Sequence, residues 1–239
     1  MNNNLQHFSI SRTFMRFLRR WLFTLFIAGF CSITFAQSIE NGVGYDVLER
    51  TTMLTPGKKV EVTEFFGYFC PHCYALDSTL EAWVKKQGDK ISFTRLHTSY
   101  LGKTLPQQRM YFTLEAMGLG VEMHKKIFDA IHQQNLSLND EKSTLEFVVK
   151  QGIDQQKYLE ASRSFTVRTK AVRTAQLESF YGLSGVPSII VDGRYLTSPQ
   201  IAGRKLPGSL PEADYVAALM PVLDALVSKA ADERANKEK

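Results

Sequence analysis

The feature that most constrains the fold is Cys70-Pro-His-Cys73, placed where one hydrophobic pattern gives way to another. Before it, Val60-Glu-Val-Thr-Glu-Phe-Phe66 is rich in β-branched and aromatic residues, which predicts a strand. Gly67-Tyr-Phe-Cys70 turns the chain, and Leu76, Leu80, Trp83 and Val84 then recur at helical spacing up to Gly88. Pro71 suits the first helical position, where a missing N–H breaks no hydrogen bond. Ile91-Ser-Phe-Thr-Arg-Leu-His97 alternates and predicts the next strand. The first half therefore reads as strand, Cys-x-x-Cys at a helix start, helix, strand.

From Pro106 to Tyr181 the pattern is helical throughout. Met110, Leu114 and Met117 form one stripe; Met123, Ile127, Phe128 and Ile131 form a second. Leu145, Val148 and Val149 suggest a third helix, Tyr158 and Leu159 a short fourth, and Val167, Ala171, Ala175 and Phe180 a fifth. A β pattern resumes at Ser188-Ile-Ile-Val191, and Asp192-Gly193 before Tyr195 and Leu196 is a strong hairpin signal. Val216, Leu219, Leu223, Leu226 and Val227 make a last amphipathic stripe, which Pro221 should kink or interrupt. The charged tail from Asp232 is expected to fray, and Gln37 to Lys58 reads as irregular. The organisation expected is residues 37–98 and 183–239 as two parts of one α/β domain, with 99–182 as an inserted helical subdomain.

Residues 1–36 read as an address. Arg16, Arg19 and Arg20 precede the apolar run Trp21–Phe30, and Thr34-Phe-Ala36 offers small residues for cleavage. The alternative is a retained anchor, but Trp21 to Ala36 is shorter than the ~20 apolar residues a spanning helix needs. Arg19-Arg20 fits a twin-arginine pattern only weakly. The 29 basic residues against 24 acids give +5, but four of the arginines lie in this leader. Without it, 25 basic residues face the same 24 acids, a net charge of +1. That removes the main support for nucleic-acid binding. Hydrophobic residues at 44% and charged residues at 22% exclude a disordered chain.

Of the three cysteines, Cys31 lies in the leader, so the exported chain keeps only Cys70 and Cys73. A bridge between them closes a very short loop and stabilises little, so the pair is chemical rather than structural. A cysteine at a helix N-terminus faces unpaired backbone N–H groups and the positive dipole end, and both favour the thiolate. Cys70 is expected to be the attacking and leaving sulfur, and Cys73, one turn inside, the shielded resolving thiol. His72 between them would lower the Cys70 pKa further. Stabilising the thiolate stabilises the dithiol and makes the disulfide an oxidant. A zinc site needs about four ligands, and His97, His124 and His132 lack paired spacing, so neither a metal nor any cofactor is expected.

Glu64-Phe-Phe-Gly-Tyr-Phe-Cys-Pro-His-Cys-Tyr74 resembles the active-site segment of the DsbA family of periplasmic thiol:disulfide interchange proteins. Gly185-Val-Pro-Ser188, followed by Asp192-Gly-Arg-Tyr195, resembles that family's cis-proline loop and hairpin. The resemblance implies a thioredoxin-like α/β fold with an inserted helical subdomain. It implies oxidation of unfolded exported proteins in the periplasm, with reoxidation by the quinone-linked inner-membrane oxidase DsbB. It also implies a cis Val186–Pro187 bond beside Cys70, whose backbone would bind an extended substrate. Alternatives are a periplasmic isomerase or reductase of the same superfamily, or a chaperone-like binder. The isomerases carry an N-terminal dimerisation domain, for which the roughly thirty residues before the motif are too few, so a monomer is expected.

Glu64 sits on the same strand face as Val60, Val62 and Phe66, and a carboxylate there is costly without a partner or a role. Its expected role is to accept or relay the Cys73 proton; the alternative is an exposed edge position. Asp77 and Arg95 fall where the family has charges near the site. Phe69 and Tyr74 either form substrate surface or pack locally. Met123 reads either way, and His97, His124 and His132 read as ordinary core or surface histidines.

Overall fold

A computed structural model describes residues 39–52, 59–98 and 106–237. The leader and the Thr55-Pro-Gly57 turn lie outside the described residues. Strand β2 (Val60–Phe66), helix α1 (Pro71–Gln87) and strand β3 (Ile91–His97) form a crossover unit, joined by a short 3-10 turn at Gly88–Lys90. Its two strands are parallel, paired from Val60 with Ile91 to Phe66 with His97. Five helices follow: α2 (Pro106–Ala116), α3 (Gly120–His132), α4 (Glu141–Lys150), α5 (Gln155–Ser162) and α6 (Phe165–Tyr181). The chain then returns to the sheet as the hairpin β4 (Ser188–Val191) and β5 (Tyr195–Thr197), with helices α7 (Pro199–Ala202) and α8 (Glu212–Lys237) closing it.

With a two-residue strand β1 (Asp46–Val47) at one edge, the sheet order is β1-β5-β4-β2-β3, with β4 antiparallel to β2. Strand β1 pairs with β5 inside the Gln37 to Lys58 stretch, whose sequence pattern is irregular. Two residues are too few to carry an alternation signal. The hairpin turn places Asp192 and Gly193 at φ 56° and 63°, the conformation that makes Asp-Gly a hairpin signal.

Two hydrophobic clusters divide the interior. Val60 and Val62, Leu76, Leu80 and Trp83, and Leu219, Leu223 and Leu226 make the first, between the sheet, α1 and α8. The second is built from α2 to α6 around Met110, Phe112, Ile127 and Phe128, and it includes Phe66, Tyr68, Cys70 and Cys73. Asp224 ties α8 to α1, accepting from the Trp83 indole at 2.8 Å and the Gln87 amide at 2.6 Å.

Three expectations are corrected. Pro221 does not end its helix: α8 runs unbroken across it, with the ring on the exposed side. Packing of Leu219 before it and Leu223 after it offsets the lost hydrogen bond. The tail does not fray at Asp232, because α8 reaches Lys237 and Arg234 is buried. Arg234 donates to Asp192 at 2.7 Å, pinning the tail to the hairpin turn. On α4 the buried face is Thr144, Phe147 and Val148, while Val149 is exposed.

Candidate active site

Cys70 is the N-cap of α1, with extended backbone angles (φ −90°, ψ 116°) and Pro71 at the first helical position. The turn before it is closed by the Cys70 N–H on the Gly67 carbonyl at 3.0 Å. The first helical bond runs from the Tyr74 N–H to the Cys70 carbonyl at 3.1 Å. Both cysteines are free thiols. Cys73, one turn on, is 1% exposed, against 6% for Cys70.

Their acidities diverge. The Cys70 thiol is lowered to about 6 by a hydrogen bond from the Cys73 thiol, opposed by burial and helped by the backbone N–H groups of Cys73 and His72. The His72 imidazole contributes last. Burial first, then the Cys70 partner and the charges of Cys70 and Glu64, push the Cys73 thiol well up. The expected helix-start effect is present, and the larger part comes from the resolving thiol itself. His72 is exposed, and its Nδ1 lies 2.9 Å from Glu212 Oε2 at the start of α8.

The Val186–Pro187 bond is cis. The Cys70 thiol donates to the Val186 carbonyl at 3.4 Å, so this loop abuts the reactive sulfur. Pro187 is buried and Val186 half-buried. Phe69, 37% exposed, is the apolar side chain presented to solvent beside the thiols. Tyr74 instead packs inward, stacked on His132 at 4.8 Å, and Met123 is core.

Beneath the thiols lies a buried charge cluster. Glu64 is 2% exposed, which excludes the edge alternative. Arg95 donates to Glu64 through Nε at 2.8 Å and to Asp77 through Nη2 at 3.2 Å. Burial pushes the Glu64 carboxyl up, while the charges of Arg95 and His124 pull it down. Glu64 is therefore a carboxyl whose proton is unusually easy to retain, close enough to Cys73 for its charge to raise that thiol.

Three histidines read as ordinary converge on one residue. The Tyr68 N–H donates to His97 Nε2 at 3.1 Å. His132 Nε2 lies 2.8 Å from the Tyr68 carbonyl, and His124 Nδ1 lies 3.1 Å from the Tyr68 hydroxyl. Because His97 Nε2 accepts, its Nδ1–H must donate, and it faces the Thr98 carbonyl at 3.2 Å. Burial lowers the His97 pKa to about 3, so the ring stays neutral. The available signal was spacing: His124, Phe128 and His132 recur every fourth residue, on one face of α3.

Comparison with known proteins settles the family. A DSBA-like thioredoxin domain matches residues 89–211. The "Thiol:disulfide interchange protein DsbA" of Burkholderia cepacia is 35% identical over 177 residues, which are 74% of this chain and 83% of that protein. The chain belongs to the DsbA family. The Bordetella parapertussis protein of the same name is 37% identical over 162 residues, 68% of this chain and 77% of that one. The crystal structure of Pseudomonas aeruginosa DsbA superposes with a TM-score of 0.70 at 28% identity, covering 84% of this chain and 97% of that one. The fold is thus the thioredoxin fold with a helical insertion, and the activity is thiol:disulfide oxidoreduction.

Proposed function

We propose that this family member donates the Cys70–Cys73 disulfide to unfolded exported proteins. A substrate thiolate attacks Cys70, a mixed disulfide forms, and Cys73 leaves and takes up a proton. A second substrate thiolate then releases the oxidised product and leaves Cys70 as a thiolate. The observation that carries the direction is the split between the two thiols: Cys70 is lowered to about 6 while Cys73 is raised. A stabilised Cys70 thiolate favours the reduced protein and so favours giving the disulfide away.

The roles follow the geometry. Pro71 starts the helix whose N–H groups face Cys70, and His72 adds a nearby imidazole. Glu64 exchanges the Cys73 proton, since Cys73 is buried and Glu64 is the neighbouring carboxyl held at raised pKa. Val186 and Pro187 form the wall against which an extended substrate chain lies. Residues 37–98 and 183–239 act as the redox domain and 99–182 as the helical subdomain. Residues 1–36 direct export to the periplasm, where the protein works as a monomer and an inner-membrane, quinone-linked oxidase of the DsbB type restores the disulfide. Among the described residues no helix is long and apolar enough to cross a membrane.

The test is equilibration of the pair with glutathione, alongside oxidation of a reduced unfolded peptide. A strongly oxidising potential and stoichiometric peptide oxidation, both lost in Cys70→Ser, are expected. A reducing potential would favour the reductase alternative; unchanged behaviour of Cys70→Ser would favour passive binding.

A further inference from the structure

The mechanism so far makes no use of His124, a buried imidazole on α3, a helix that belongs to the insertion. Its two nitrogens reach across to two other elements: Nε2 lies 2.9 Å from Asp77 Oδ1 on α1, and Nδ1 lies 3.1 Å from the Tyr68 hydroxyl, two residues before Cys70. An ionised carboxylate only accepts, so Nε2 carries the proton and, in the neutral ring, Nδ1 accepts from Tyr68. His124 and Asp77 are 6% and 7% exposed, so water does not substitute for either partner.

Asp77 Oδ1 is shared. It accepts from His124 at 2.9 Å and from Arg95 Nη2 at 3.2 Å, while the Nε of the same guanidinium serves Glu64 at 2.8 Å. One cation is thus divided between two buried acids, and His124 is the second donor to one of them. We propose that His124 is a positioning residue for the redox step: by holding Asp77 it keeps Arg95 on Glu64, the carboxyl that exchanges a proton with Cys73. The inference rests on that role of Glu64.

The groups facing Glu64 are identifiable element by element. Arg95 comes from β3, Asp77 and Cys73 from α1, His124 from α3 and Tyr68 from the loop before Cys70. Tyr111 on α2 donates to the Arg95 carbonyl at 2.9 Å. Without His124, Asp77 draws the guanidinium toward itself and Glu64 loses neutralising charge. Glu64 then holds its proton to higher pH.

The step to follow is closure of a Cys70–glutathione mixed disulfide, made by adding oxidised glutathione to the reduced protein. The Cys73 thiol passes its proton to Glu64 as its sulfur attacks Cys70. The Cys70–Cys73 bond forms, the bond to glutathione breaks, and glutathione leaves with the electron pair and takes a proton from water. The rate should rise with pH along a limb set by Glu64 ionisation, read by acid quenching.

In His124→Phe the limb should move up by about one pH unit, slowing closure up to about tenfold below it. In His124→Gln, whose amide donates in place of Nε2–H but carries no charge, the limb should fall back most of the way to the parent position. Asp77→Asn, which no longer competes for Arg95, should move it to lower pH and shrink the effect of a second change to His124→Phe. If His124→Phe does not fold, His124→Asn, whose shorter amide cannot reach Asp77, takes its place and should raise the limb in the same way. A profile in His124→Phe that is scaled without shifting, or a limb in His124→Gln displaced as far upward as in His124→Phe, overturns the proposal. Glu64→Gln should abolish the limb. A limb that survives there overturns the Glu64 role and this proposal together, whereas a limb lost there yet unmoved in His124→Phe overturns the His124 proposal alone.

Discussion

The two cores do different work on one continuous stretch of chain. Strand β2 begins in the sheet-side core at Val60 and Val62 and ends in the helical-side core at Phe66. Helix α1 makes the reverse journey, with Cys73 in the helical-side core and Leu76, Leu80 and Trp83 in the sheet-side core. The thiols therefore lie where the chain crosses from one core to the other. The sheet side sets where the start of α1 points. The helical side supplies the burial around Cys73 and two of the three histidines around Tyr68, His124 and His132. A redox motif presented by one layer thus takes much of its electrostatic environment from the other.

Truncation on each side should separate these contributions. Phe128, 1% exposed on α3, packs on Phe66 and Tyr68 at ring separations of 5.9 and 5.0 Å. Phe128→Ala should cost ~3–5 kcal/mol in urea unfolding and also shift the thiolate titration, because the wall behind Tyr68 is lost. Leu223→Ala in the sheet-side core should cost ~2–4 kcal/mol while leaving that titration in place. If both variants shift it equally, the cores are not functionally distinct.

A smaller effect should come from the far end of the sheet. Asp192 is fully buried, and accepts from Arg234 at 2.7 Å and Arg194 at 2.6 Å. Arg234→Ala removes one of these charge-assisted bonds and should cost ~2 kcal/mol, with redox properties unchanged, since the hairpin turn is at the opposite end of β4 from Pro187. Altered peptide oxidation in this variant would show that the two ends of the hairpin communicate.

The strand, thiol helix and hairpin were readable because each carries a short-range signal: alternation, helical recurrence, and the Asp-Gly turn. The buried acid was readable from the face it shares with Val60 and Val62. What escaped depends on long-range contacts. The spacing of His124 with Phe128 and His132 places it on a buried helix face, but nothing local points to its partner Asp77, 47 positions away. The continuity of α8 across Pro221 and past Asp232 escapes for the same reason, because local propensity interrupts a helix that tertiary packing continues. The two residues of β1 are a strand only because β5 lies beside them.

Acidity should distinguish the redox states. The folded Cys70 pKa, about 6, lies below the unfolded value near 9.0. A depressed folded value adds stability to the reduced protein that is present above the unfolded pKa and is lost as pH falls through the folded one. The stability advantage of reduced over oxidised protein, from paired urea melts, should therefore shrink as pH falls from about 9.0 to about 6. Acid destabilisation from charging His97, whose folded pKa is about 3, is common to both forms and cancels in the difference. A gap that stays constant with pH, or favours the disulfide form, would contradict the account. The smallest change is expected from His72→Ser: because the imidazole is the last contributor to the Cys70 shift, the midpoint should rise by less than about one unit.

The most direct test of the central claim is thiolate absorbance of the reduced protein against pH. One thiolate should appear with a midpoint of about 6, and the second only well above the ordinary value of 9.0, because Cys70 and Cys73 are driven apart. Iodoacetamide trapping in the interval between the two steps should label Cys70 and spare Cys73. Two thiolates titrating together near 9.0 would contradict it, and would leave this disulfide without a reason to be given away.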